Sequence, residues 1–213
     1  MNELQPLAVK PKQGGYTIIE LGIALTIIAV LIVAGLAGVT AVLNNSKANS
    51  QIEESGIVLA KLQSTLTSTS VSGMTTAVAV GSSYFPASRV SGTGSTTEVA
   101  SRFTGKEFVA SNSAELTSTA NGVAALANVG AIYTITGVPK AVCANIATSL
   151  ATLANSAWVH NGASITETNS TALANLTSTT SQIKAPGGQV QAARVGTQCN
   201  LADTVNLAFF LRP

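Results

Sequence analysis

The chain is 213 residues long, 46% apolar and only 9% charged, where an ordinary soluble domain carries roughly 25% charged residues. Eleven basic and nine acidic residues are scattered widely and leave a net charge of +2, which argues against nucleic-acid binding, since neutralising phosphates needs clustered Lys and Arg. One His (His160) and two Cys (Cys143, Cys199) offer little for a metal site or a histidine relay, and the apolar content argues against a wholly disordered chain.

Residues 1–15, MNELQPLAVKPKQGG, are polar and close on Lys10, Pro11, Lys12, Gln13, Gly14 and Gly15. From Tyr16 to Leu43 the only ionisable side chain besides Tyr16 is Glu20, and the 23 residues from Leu21 to Leu43 carry no charge. As a helix they would measure roughly 35 Å, enough to cross a hydrocarbon core of about 30 Å. Lys10 and Lys12 favour a cytoplasmic N-terminal flank, with the rest of the chain outside. A secretory signal peptide is the competing reading. Its apolar core is normally about 7–15 residues long, shorter than this one, although the small residues from Ala34 to Ala41 would admit cleavage. Glu20 is either solvated at headgroup level or functional, as acids inside membranes generally are.

After Leu43 the chain turns polar without a helix breaker, and no proline occurs from Tyr16 to Tyr84. Ile52, Leu59, Leu62 and Leu66 fall on one helical face beside Val58, while Lys47, Glu53, Glu54 and Lys61 can face water. One helix from Tyr16 to about Ser70 is expected, apolar all round in its first half and amphipathic in its second. From Val71 short apolar stretches alternate with Gly, Ser and Thr. Gly81-Ser82-Ser83 and Ser91 to Thr97 read as loops, and Pro186-Gly187-Gly188 as a turn. Val129 to Thr136, Ala157 to His160, Gln189 to Val195 and Asn206 to Arg212 read as strands. A helix is expected after Pro139, carrying Val142, Ile146, Leu150 and Leu153 on one face. Trp158 is expected in the core.

Gly15, the aromatic Tyr16, Thr17, Glu20 and the uncharged run after them resemble the class III signal of type IV pilins and related filament subunits. The resemblance covers about thirty residues. It implies cleavage after Gly15 by a prepilin peptidase, methylation of the new N-terminus at Tyr16, and assembly residues at Glu20 and Thr17. Glu20, the fifth mature residue, would pair with the N-terminal amine of a neighbouring subunit, and such a partner makes a desolvated carboxylate tolerable. Two features depart from the commonest pattern. Ala37, between Gly35 and Gly38, stands where a proline is often found, and Ala34 with Gly38 forms a pair suited to close helix packing. The 15-residue leader is long and points to the type IVb branch.

The implied architecture is an α+β pilin fold: a long N-terminal helical spine, and a head built on an antiparallel sheet with one disulfide. Its parts would be a removed leader (1–15), an apolar membrane and filament-core half of the helix (16–43), an amphipathic half (44–70) and the head (71–213). Cys143 and Cys199 would be free thiols in a cytosolic protein, whereas behind an export signal a disulfide is expected. In the resembled family such a bridge bounds a surface region, here 143–199, that makes subunit contacts.

Catalysis finds little support. His160 and Glu167 specify no reaction, the acids lack metal-ligand spacing, and no cofactor motif occurs. The expected function is therefore that of a major type IVb pilus subunit, non-enzymatic and without cofactor. It would wait in the inner membrane with its head in the periplasm, then join an extracellular filament used for attachment, aggregation or conjugative DNA transfer. Its partners would be copies of itself, the prepilin peptidase, the inner-membrane assembly machinery, an outer-membrane secretin and minor pilins. The alternatives are a minor pilin or type II secretion pseudopilin, and a membrane-anchored periplasmic binding protein that never polymerises.

Overall fold

The computed structural model describes residues 15, 17–68, 73–111, 130–161 and 181–212. The chain divides into two units, residues 1–42 and 43–213. Helix α1 spans Ile18–Ser68, 51 residues. The expected ends at Tyr16 and Ser70 lie outside the described residues. Thr17 starts the helix: its carbonyl accepts the Leu21 N–H at 3.1 Å and its hydroxyl accepts the Glu20 N–H at 3.2 Å. A side-chain oxygen at this position satisfies an amide that has no partner within the helix. Without proline, α1 continues through Gly35 and Gly38.

In the second unit α1 is amphipathic. Val58, Leu59, Leu62 and Leu66 are buried on the face turned into the core, each stabilising by about 1.5–3 kcal/mol. Helix α2 (Thr76–Gly81) follows, capped at its start by the Thr75 hydroxyl. A 3₁₀ turn at Ala87–Arg89 then leads into strand β1 (Val90–Ser91), and a second at Gly94–Thr96 into β2 (Glu98–Ala100) and β3 (Lys106–Ser111). Next come β4 (Ala131–Pro139), α3 (Lys140–Ala151), β5 (Ser156–His160), β6 (Gln182–Lys184), α4 (Ala192–Cys199) and β7 (Thr204–Leu211).

The seven strands form one sheet in the order β1-β2-β3-β4-β7-β5-β6, and every neighbouring pair is antiparallel. The long strands β4 and β7 lie in its middle, where Tyr133 stands opposite Phe209 and Ile132 opposite Phe210. Tyr133, Ile135, Leu207 and Phe209 join Val142, Ile146 and Leu150 of α3 in the core with α1. Ile132, Trp158, Ala208 and Phe210 are buried outside that cluster. The register of β4 shifts between Ile135 and Val138. Gly137 sits there at φ +69°, and a Cβ on it would come within 2.8 Å of the Gly105 amide nitrogen. Only glycine suits both that dihedral and that approach.

The α+β architecture expected from the sequence is present, with its long N-terminal helix, antiparallel sheet and disulfide. Four local readings need correction. Gln189 to Val195 is not a strand: Ala192–Cys199 is helix α4, with Val195 and Cys199 buried one turn apart. Leu153 lies beyond α3 and is 51% exposed. The loop read over Ser91 to Thr97 contains the end of β1 and a 3₁₀ turn. Glu54 does not simply face water, because two arginines hold it at the edge of the core. Trp158 is fully buried as expected.

Candidate assembly site

Gly15 is described and exposed, and a Cβ on it would touch nothing. Tyr16 and the rest of the leader, with Lys10 and Lys12, lie outside the described residues. Thr17 caps α1, and Glu20 stands in the first turn, where the helix dipole favours a carboxylate. Three residues of the sequence pattern, Gly15, Thr17 and Glu20, thus fall at the start of one helix.

Behind them α1 carries apolar side chains that touch almost nothing. Ile18 is 89% exposed, and Leu21, Leu25, Leu31, Leu36 and Val42 are all exposed by more than half. Thr26, polar by type, returns its hydroxyl to the Ile23 carbonyl at 2.8 Å, so even this group needs nothing from water. Monomeric soluble proteins rarely leave more than a few hundred Å² of contiguous apolar surface bare. An apolar helix of this length calls for lipid or for other apolar helices as its surroundings.

In the head, Cys143 of α3 and Cys199 of α4 form the disulfide, with Cα atoms 5.7 Å apart and both residues buried. It ties α3, which packs against β4 and β7, to the segment leading into β7. His160 ends β5 half-buried, and burial holds its imidazole below the usual 6.5. Glu167 lies outside the described residues. Among the described residues, no group of three or more His, Cys, Asp or Glu is placed to hold a metal ion.

Sequence reading missed a buried polar cluster where α1 meets the sheet. The Glu107 carboxylate on β3 is fully buried. It accepts hydrogen bonds from Gln51 Nε2 at 2.9 Å, from the Tyr133 hydroxyl and from Arg89. Ser55 joins Gln51 and the Tyr133 hydroxyl, each at 2.8 Å. Arg89 also pairs with Glu54 at 2.6 Å, and Arg102 pairs with Glu54 from the other side. The Arg102 amide donates to Gln51 Oε1 at 2.9 Å. Burial pushes the Glu107 carboxyl above the ordinary 4.5, while Arg89, Tyr133 and Gln51 pull it down. Two guanidinium groups and two carboxylates leave the cluster neutral, as a buried ionic group must be. No local motif announces it, since its members come together only in the fold.

A long N-terminal helix, a central antiparallel sheet and a disulfide between the two helices flanking it define the type IV pilin fold. Comparison with solved structures agrees. The chain is similar to a type IVb pilin from Salmonella typhi, with a TM-score of 0.51 over 78% of this chain and 99% of that one, at 15% identity. At that identity the likeness is one of fold. No family model and no curated protein matches the sequence.

Proposed function

We propose that the chain is the precursor of a type IV pilus subunit, a major subunit of the type IVb kind, and that its role is structural, not enzymatic. The observation that carries this reading is the apolar first half of α1, bare along its length, directly behind Gly15, Thr17 and Glu20 and joined to a chain of pilin fold. Prepilin peptidase removes residues 1–15, and Tyr16 becomes the methylated N-terminus. The subunit then waits in the inner membrane with its head in the periplasm. On extraction, contacts with the same segment of other subunits replace lipid around residues 16–43. Glu20 pairs with the amine of an incoming Tyr16, and this ion pair sets axial position in the filament. The head and the region 143–199 face outward. A surface short of charge and rich in Ser, Thr and Asn suits adhesion to cells or to other filaments.

Glu20→Ala tests the assembly role. The protein should still be made and cleaved, and sheared filaments should be lost. Normal filament yield from that variant would overturn it.

A further inference from the structure

We propose that the polar cluster around Glu107 is a register lock: it fixes which turn of α1 lies against β3 and β4, rather than strengthening the head. The cluster reaches α1 at three residues, Gln51, Glu54 and Ser55, and joins each to a different part of the head. The apolar face of α1 specifies position less sharply. Val58, Leu62 and Leu66 repeat every fourth residue, so a slip of one turn puts Leu62 in the place of Val58 and Leu66 in the place of Leu62. The bulk of Ile52 in the place of Ala48, and the amide of Gln63 in the place of Leu59, resist such a slip.

The polar positions resist it by a different route. The same slip replaces Glu54 with Val58, which strips Arg102 of its carboxylate and leaves Arg89 with Glu107 alone. It also puts Ser55 in the place of Gln51, and sets Leu59 against the Tyr133 hydroxyl. One-turn displacements between packed elements are a known way for folds to switch, and a buried polar residue is the best-attested device for fixing register. A buried ionic cluster contributes little net stability compared with apolar residues of similar volume, so its value lies in choosing among packings.

The test uses the full chain in detergent micelles with the native disulfide intact. A Cβ at Gly56 would lie 3.9 Å from Leu153 Cδ1, so Gly56→Cys with Leu153→Cys, joined by a short bifunctional thiol reagent, reports the native register. Ala60→Cys with Leu153→Cys reports the slipped one. In the otherwise native chain the first pair should link about tenfold more than the second. Combining Gln51→Leu, Ser55→Ala, Arg89→Met, Glu107→Leu and Tyr133→Phe should leave the head folded, melting no lower, with that preference clearly weakened and the remainder set by Ala48, Leu59 and the Glu54–Arg102 pair. The milder pair Ser55→Ala and Tyr133→Phe should shift the ratio by about threefold in the same direction. An unchanged ratio in both backgrounds overturns the proposal. So does failure of the apolar variant to fold while the milder one keeps the native ratio, since the cluster would then serve stability alone.

Discussion

Glu107 is a carboxylate with no exposed surface, and three side-chain donors hold it. Removing it by Glu107→Ala strands the Arg89 guanidinium, the Tyr133 hydroxyl and the Gln51 amide in the core, and should cost about 3–5 kcal/mol in chemical denaturation. Glu107→Gln keeps the shape and leaves Arg89 its second partner, Glu54, so about 1–2 kcal/mol is expected. The pH dependence has an unusual sign for an acid. Burial raises the folded pKa above 4.5, so within that window the folded head binds a proton that the unfolded chain releases. Stability from this residue is present below 4.5 and is lost as pH rises through the raised value. His160 acts oppositely: its folded pKa is lowered from 6.5, and its contribution is lost as pH falls. Comparing wild type with Glu107→Gln removes the His160 effect. The wild type should lose more of its denaturation midpoint than the variant as the pH rises above 4.5. Parallel curves would contradict the assignment.

Ser83 offers a second residue-level test. It follows α2 at φ +58°, and the Tyr84 amide donates back to the Ala79 carbonyl at 3.0 Å. This is the left-handed helix ending that favours glycine. Ser83→Gly relieves a left-handed strain of about 1–2 kcal/mol and loosens the unfolded chain by somewhat less. A net gain of about 0.5 kcal/mol in thermal unfolding is expected, provided that the Lys61 bond to the Ser83 carbonyl, 2.6 Å long, persists.

At the scale of elements, the disulfide between α3 and α4 closes a loop of sequence separation 56. Replacing Cys143 and Cys199 by Ala should cost about 4 kcal/mol in the chain-entropy account, measured as a drop in the denaturation midpoint without change of fold. A loss below about 1 kcal/mol would show that the two helices hold each other by packing alone. The elements also show where sequence reading succeeds. Helix α1 was legible because an uncharged apolar run passes into an amphipathic one without proline. Strands β4, β5 and β7 were legible because they are long or flanked by turns. Strands β1, β2 and β6 have two or three residues each, too few for alternation to register. Helix α4 was misread because Val190, Ala192 and the turn before them mimic a strand, while the helical spacing of Val195 and Cys199 spans a single repeat. The Glu107 cluster was invisible for another reason: Gln51 and Glu107 are 56 residues apart, and Ser55 and Tyr133 are 78 apart.

For the whole molecule, the scarcity of charge and the abundance of apolar residues have separate origins. The apolar excess is concentrated between Tyr16 and Leu43, and from Ile18 on its large side chains lie exposed among the described residues. The low charge extends through the head, where Arg89, Glu54 and Glu107 are drawn inward to the α1 seam and Arg102 pairs with Glu54 at its rim. On the proposed reading, cleavage after Gly15 also removes Lys10, Lys12 and Glu3, leaving nine basic and eight acidic side chains of the original eleven and nine. The proposed function therefore turns on what happens at residue 15. N-terminal sequencing and mass analysis of the protein in sheared filaments test it directly. The account predicts abundant protein beginning at a methylated Tyr16. Protein that retains Met1 and stays in the membrane, or that begins near Thr40 and is secreted, would contradict it.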